Sequence, residues 1–407
     1  MLGVDAPGQP WRVSDSLAEL RRLAETAGLE VVGVFSQRLR GPQPTSYLGK
    51  GKLEEIRADR TELNFDTIIA DDELSPAQQR HLETVVDAQV LDRTAVILQI
   101  FARHARSREG QLQVELAQYR YLLPRLAGKG TTLSRLGGGI NTRGPGETKL
   151  ETDRRRIRHR IAELERTIDQ VRGQRALHRR QRKAAGIPAV ALVGYTNSGK
   201  SSLLNGLTSA GVLSSDQLFA TLDPTTRRLS LPGGLPILIT DTVGFIQKLP
   251  ADLVTAFRAT LEEIVEADVI MHVLDVSDPR MDEQAATVEA ELRTLGVADK
   301  PRVTALNKVD RIEATRLPLL RKRFDNAVAI SAATGFGFEA LLGRVARALS
   351  ADLVPVRVQI PYTESELVSL FRERGMVERE VHRVEGTVIT GRLPATLLPS
   401  FQGFISR

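Results

Sequence analysis

The 407-residue chain has no cysteine, which excludes disulfides and thiolate metal sites and suits a reducing compartment. Its six histidines (81, 104, 159, 178, 272 and 382) show no metal-ligand spacing. No apolar run approaches the roughly 18 residues a membrane-crossing helix needs. The opening stretch, MLGVDAPGQPWRVSDS, has neither the basic start nor the apolar centre of a secretory signal. Aromatic residues make up only 4% of the chain. That is too few to suggest a base-stacking surface, so a nucleic-acid partner would be held by shape and phosphate contacts. A soluble, cytoplasmic protein is expected.

The hydrophobic fraction of 42% and the charged fraction of 26% are those of a globular protein, and the length allows roughly two to four domains. The net charge of +6 is unevenly spread. Residues 101–185 carry 21 Lys and Arg against 8 Asp and Glu, while the remainder carries 35 against 42. One basic segment on an otherwise acidic chain points to a polyanion-binding surface.

Residues 15–100 alternate helical and strand-like stretches. SLAELRRLAETAGL, KLEEIRADR and SPAQQRHLETVV read as helices, and EVVGVF, FDTIIAD and AQVLD as strands. This predicts a small parallel α/β subdomain. Asp71 and Asp72, at a strand end, read as a capping or turn pair rather than a metal site. Leu112, Leu116, Tyr119 and Leu123, then Ile157, Ile161, Leu164, Ile168 and Val171, repeat at steps of four and three. That is the seam of two packed helices. Between them, residues 127–149 hold seven glycines and no apolar period. An antiparallel hairpin is expected, with Lys129, Arg135, Arg143 and Lys149 in a tip loop able to contact phosphates. RKAAGIP (182–188) reads as a linker. From Ala189 short apolar strands alternate with helices to about residue 350, as in a parallel sheet covered on both faces. A small α+β tail follows.

The sequence GYTNSGKS (Gly194, Tyr195, Thr196, Asn197, Ser198, Gly199, Lys200, Ser201) follows a strand and precedes the apolar helix that Ser202 opens. This is the setting of a phosphate-binding loop. Its amides and the helix N-terminus favour phosphate oxygens; Lys200 reaches toward β- and γ-phosphates and the Ser201 hydroxyl toward Mg²⁺. In DTVGF (Asp241, Thr242, Val243, Gly244, Phe245) the strand-end Asp241 can hold Mg²⁺ through water. The Gly244 amide can sense a γ-phosphate. In NKVD (Asn307, Lys308, Val309, Asp310) a buried Asp310 carboxylate can accept both donors of guanine N1 and N2, with Lys308 covering the base. SAA (Ser331, Ala332, Ala333) can offer amides to guanine O6. Four such motifs in this order specify a GTP site.

With FATLDPTTR (Phe219, Ala220, Thr221, Leu222, Asp223 and on to Arg227) as a first switch, the chain resembles the Obg–HflX group of translation-factor-related GTPases. It is most similar to the HflX family, through GGGINTRGPGETKLETDRRRI at residues 137–157. The resemblance implies an N-terminal α/β subdomain (1–100), a basic helical hairpin (101–186), a P-loop GTPase domain (187–352) and a small C-terminal α+β domain (353–407). It also implies a Mg²⁺-dependent GTPase that binds the large ribosomal subunit and its rRNA and dissociates stalled or stressed ribosomes. A monomer and a peripheral membrane association are further expectations. The family pattern puts the switch Mg²⁺ ligand at Thr221, while spacing alone leaves Thr225 and Thr226 as rivals. Lys200, Thr221 and Gly244 would then carry the hydrolysis.

A membrane-associated or trafficking-type GTPase is the alternative, but neither terminus shows a lipidation motif or an amphipathic basic helix. A small-molecule kinase would have no use for NKVD. Phe245 stands where many GTPases place a water-orienting glutamine. Intrinsic hydrolysis should therefore be slow, on the order of 10⁻⁴ to 10⁻³ s⁻¹, until a partner assists. Gln247 is either a substitute for that glutamine or a solvated switch residue.

Overall fold

The computed structural model describes residues 1–126, 145–184, 187–208, 218–248, 250, 258–350 and 353–406. Side chains at 145–150, 174–184, 258–260 and 396 are outside the description. The chain forms two compact units: Met1–Gln174 with Gln217–Leu222 and Gln247–Arg258, and Arg175–Asp216 with Asp223–Ile246 and Ala259–Arg407.

In the first unit, strands β1 (Leu2–Asp5), β2 (Phe35–Arg38), β3 (Thr67–Ala70) and β4 (Gln89–Asp92) form a parallel sheet ordered β2-β1-β3-β4. Helices α1 (Val13–Thr26), α2 (Lys50–Leu63), α3 (Pro76–Val86) and α4 (Arg93–His104) surround it. Leu53 and Ile56 of α2 and Leu82 and Val86 of α3 pack on Leu2, Val4, Ile68 and Val90 of the sheet. Ser75 caps α3 through its hydroxyl, and Gln78 reaches back to the Ser75 amide, a reciprocal capping box before Pro76. Two expectations are corrected here. EVVGVF is not a strand over its length, because residues 30–34 are irregular and β2 starts only at Phe35. As a sheet edge, β2 tolerates the polar alternation of FSQR that an apolar search passes over. Asp71 and Asp72 are not a turn pair but carboxylates engaged by cations: Lys248 lies 2.5 Å from each, and Arg93 pairs with Asp71 at 2.6 Å.

Helices α5 (Arg108–Arg125) and α6 (Pro145–Ala184) follow. Leu112, Leu116, Tyr119, Ile161, Leu164 and Ile168 share one apolar cluster, flanked by Arg120–Glu165 (2.6 Å) and Arg160–Glu115 (2.9 Å) ion pairs. Residues 145–149, read as part of the tip loop, belong instead to α6, which begins at Pro145. Lys129, Arg135 and Arg143 lie outside the described residues, as does the side chain of Lys149. The same helix runs to Ala184, into the stretch read as a linker.

The second unit is built on a six-stranded sheet of β5 (Ala189–Val193), β6 (Thr225–Ser230), β7 (Pro236–Asp241), β8 (Val269–Asp275), β9 (Arg302–Asn307) and β10 (Ala327–Ala329). Its order is β10-β9-β8-β5-β7-β6, parallel except for β6. Helices α7 (Lys200–Thr208), α8 (Arg258–Glu266), α9 (Met281–Thr294), α10 (Leu317–Arg323) and α11 (Phe338–Ser350) accompany the strands. Leu203 and Leu204 of α7 and Leu341 and Val345 of α11 join Val190, Leu192, Met271 and Val273 in the core. Strand β5 lies between β7 and β8, so the strand order reverses direction beside it, where open α/β sheets bind ligands at carboxyl ends. The remainder is a three-stranded antiparallel sheet, β11 (Leu353–Ile360), β12 (Met376–Arg383) and β13 (Gly386–Pro394), ordered β11-β13-β12. Helix α12 (Ser365–Arg374) brings Phe371 edge-on to Phe401 at 5.6 Å between ring centroids.

Candidate guanine-nucleotide site

Apolar β5 drives the chain into the sheet, and its last residue, Val193, delivers Gly194 to the carboxyl edge. No side chain fits there: a Cβ on Gly194 would lie 2.4 Å from the carbonyl oxygen of Val273. The loop then turns through Asn197 (φ 60°) and Gly199 (φ 93°) into α7. Lys200 folds back over this turn, and its Nζ donates to the carbonyls of Gly194 (3.2 Å) and Tyr195 (2.9 Å). Burial pushes its ammonium down to about 8, with the Asp241 charge opposing that shift. The hydroxyls of Thr196 and Ser198 are buried without a hydrogen-bond partner among the described residues. A turn that leads into a helix N-terminus beside a buried cation and orphaned hydroxyls fits a polyphosphate.

Ser201 Oγ donates to Asp241 Oδ2 at 2.6 Å, and Asp241 is fully buried at the end of β7. A hydroxyl and a carboxylate converging beside a phosphate loop form a hard-oxygen donor set that fits Mg²⁺. Thr242 is held by its hydroxyl on the Leu192 carbonyl (2.6 Å), which fixes the backbone leading to Gly244. Gly244 lies against the phosphate loop: a Cβ there would be 2.8 Å from Thr196 Cα and 3.0 Å from Lys200 Nζ. Phe245 is buried, and its backbone forms a bridge with the loop.

The base side is organised by Asn307 at the end of β9. Its Nδ2 donates to the Ser198 carbonyl (2.8 Å) and its Oδ1 accepts from the Ala332 amide (2.9 Å). One buried side chain therefore ties the phosphate loop to the SAA loop. Lys308, in the left-handed region at φ 64°, donates to the Asn197 carbonyl (2.9 Å) and pairs with Asp275 (2.7 Å). The Val309 amide donates to the Ile330 carbonyl at 3.3 Å, beside buried Ser331. A cavity of about 470 Å³ opens between these elements, lined by Asn197, Gly199, Ser202, Lys308, Asp310 and Ala333. Asp310 is exposed at this cavity, not buried as the sequence reading assumed, because it sits in a one-turn helix beyond the strand end.

Four cavity-related residues escaped sequence reading: Asn205, Gly206 and Arg311, which line it, and Asp275, which holds Lys308. Asp275 had a signal, since it closes β8 as Asp241 closes β7; Asn205, Gly206 and Arg311 had none.

The first switch is divided. Phe219, Ala220, Thr221 and Leu222 cluster with the first unit, whereas Asp223 belongs to the second. Phe219 (φ 58°) packs edge-on against Phe101 of α4 at 4.7 Å. Of the rivals to Thr221, both sit in β6, where Thr225 pairs with Asp241 in register and Thr226 Oγ1 lies 2.9 Å from Thr240 Oγ1. Gln247 is buried, so it is not a solvated switch residue.

Four family profiles match the chain in succession. These are a GTP-binding GTPase N-terminal region over residues 14–102 and a GTP-binding GTPase middle region over 104–182, then a 50S ribosome-binding GTPase over 189–308 and an HflX C-terminal domain over 319–395. The GTPase HflX of Caldanaerobacter subterraneus subsp. tengcongensis is 46% identical over 391 residues, 96% of this chain and 90% of that protein. That of Lacrimispora saccharolytica is 49% identical over 385 residues, 95% and 91% of the two chains. That of Escherichia coli is 41% identical over 376 residues, 92% and 88%.

Proposed function

The chain belongs to the HflX family of GTPases, and on that premise we propose that it binds the large ribosomal subunit through rRNA and dissociates stalled or stressed ribosomes. The observation that carries the nucleotide part is the Asn307 side chain, which joins the phosphate loop and the SAA loop around one cavity. The ribosomal part rests on the 50S ribosome-binding GTPase profile over residues 189–308 and on the basic excess of residues 101–185.

In this reading the amides of Asn197 to Ser202 and the Lys200 ammonium hold the β- and γ-phosphates. Asp310 accepts from guanine N1 and N2, Lys308 covers the base, and the Ser331 to Ala333 loop addresses O6. Ser201 and, by the family pattern, Thr221, with Asp241 through water, would hold Mg²⁺, which would supply charge neutralisation at the phosphate oxygens. The Gly244 amide senses the γ-phosphate. The protein acts as a monomer in the cytoplasm, with its four sequence-defined domains as the working parts.

Phe245 has no side-chain oxygen to orient water, so hydrolysis depends on a group or an ordering supplied by the ribosome. Single-turnover GTP hydrolysis with and without purified large subunits tests this dependence. A stimulation of about a hundredfold or more is expected. Fast hydrolysis by the isolated protein, or a slow rate that subunits leave unchanged, would overturn it.

A further inference from the structure

Strands β8 and β9 end side by side at the base cavity. Asp275, the last residue of β8, lies in register with Asn307, the last of β9, and the Val276 amide donates to the Asn307 carbonyl at 3.1 Å. The following residue, Lys308, lines the cavity. Its ammonium reaches Asp275 Oδ2 at 2.7 Å and the Asn197 carbonyl of the phosphate loop at 2.9 Å. The second carboxylate oxygen of Asp275 accepts from the amide (2.9 Å) and the hydroxyl (2.6 Å) of Ser277. A carboxylate bonded to its own loop in this way is held in one rotamer, so its other oxygen is presented to Lys308.

The side chains of Asp275 and Lys308 are 13% and 16% exposed, so salt screens the pair little. A lysine stem is long and flexible, and holding it in one conformation costs side-chain entropy. Here the backbone end is set at φ 64° and the ammonium end is held by a carboxylate before any base arrives. The methylenes between the two ends are therefore preorganised at the cavity. Without the carboxylate the ammonium keeps a single carbonyl and is drawn toward water, as the charged heads of amphipathic side chains are. Methylenes carry no hydrogen-bonding groups, so they favour a purine ring without telling one base from another.

We propose that Asp275, oriented by Ser277, is a positioning residue for nucleotide binding: it holds the Lys308 stem at the base cavity and so sets affinity for the purine ring, while the choice of base stays with Asp310. This rests on the reading of the cavity as a guanine-nucleotide site. Asp275 acts through Lys308 alone, so its contribution disappears when Lys308 has no ammonium to hold.

The test is equilibrium binding of fluorescent GDP to the 407-residue chain carrying Asp275→Asn, Ser277→Ala or Lys308→Met, and to D275N and S277A each combined with K308M, with unlabelled inosine diphosphate as competitor. D275N should weaken GDP and inosine diphosphate by the same factor, about tenfold, and K308M should weaken GDP at least as much. On the K308M background, D275N should cost no more than about a further twofold. S277A, which removes one of the two donors that orient Asp275, should weaken GDP by about threefold and lose that effect on the K308M background. Should D275N fail to melt cooperatively, S277A carries the test. Wild-type affinity in the folded variants, a loss that persists undiminished on the K308M background, or a loss confined to one base would overturn the proposal. Failure of the wild type to bind GDP would overturn the reading beneath it.

Discussion

The Thr196 amide donates to the Phe245 carbonyl at 2.8 Å, and the Phe245 amide donates to the Gly194 carbonyl at 3.1 Å. Phe245, which we propose stands where other GTPases place a water-orienting glutamine, is therefore bonded through its backbone to the phosphate loop. Phe245 is 2% exposed. Phe245→Gln should consequently leave the intrinsic single-turnover hydrolysis rate within about threefold of wild type. It should also cost about 2–3 kcal/mol of stability, because a buried aromatic is exchanged for an unpaired amide. Rapid-quench hydrolysis and denaturant unfolding measure the two effects, and a rate rise of a hundredfold would contradict the placement.

Lys200 is a buried charge whose hydrogen bonds in this structure go to backbone carbonyls. Replacing it by methionine removes the cost of keeping that charge out of water. Lys200→Met should raise the unfolding free energy without nucleotide by about 2–3 kcal/mol and reduce GDP affinity by at least about a hundredfold. Chemical denaturation paired with calorimetric binding would show both, and a destabilised variant would mean that Asp241 and the two carbonyls already offset the cost of burying this charge.

Asp310 sits at the cavity mouth, and its proposed task is to accept two donors from guanine. Asp310→Asn should lower GDP affinity by about 10²–10³-fold and transfer preference to xanthosine diphosphate, whose N1 and O2 pattern complements an amide. Competition binding among guanosine, xanthosine and inosine diphosphates reads this, and retained guanine preference would place base recognition elsewhere.

Burial alone would raise Asp71, but the charges of Arg93 and Lys248 hold its carboxyl below the usual range. A carboxylate lowered in the folded state stabilises fully above its unfolded value of about 3.9, and that contribution fades as pH falls through the lower folded value. The N-terminal unit should keep this contribution at pH 5 and lose it from about pH 4 downward. In Asp71→Asn that part of the acid dependence should vanish, at a lower overall stability. Urea unfolding between pH 3 and 6 would reveal it, and an identical acid slope in the variant would exclude Asp71 as its source.

The legibility of these features in sequence follows the range of the interactions behind them. The loop from Gly194 to Ser201 was readable because strand, turn and helix signals lie within a dozen residues. The same locality made β3, β4, β7, β8 and β9 evident from short apolar runs closed by turn residues. Helix α4 and strand β1 went unread. The first has apolar residues on all sides, with eight of its residues buried, and the second is four residues long. The bond from Asn307 to Ser198 joins residues 109 apart, and that from Lys248 to Asp71 joins residues 177 apart. No local pattern encodes such partners, so the local sequence around Asp71 and Asp72 suggests only a cap or turn.

The most direct test of the account is co-sedimentation of the 407-residue chain with purified 50S subunits, comparing a non-hydrolysable GTP analogue with GDP over a salt series. The account predicts binding that is at least about tenfold tighter with the GTP analogue and weakens steeply with salt, as phosphate contacts require. Equal sedimentation in both nucleotide states, or none in either, would contradict it.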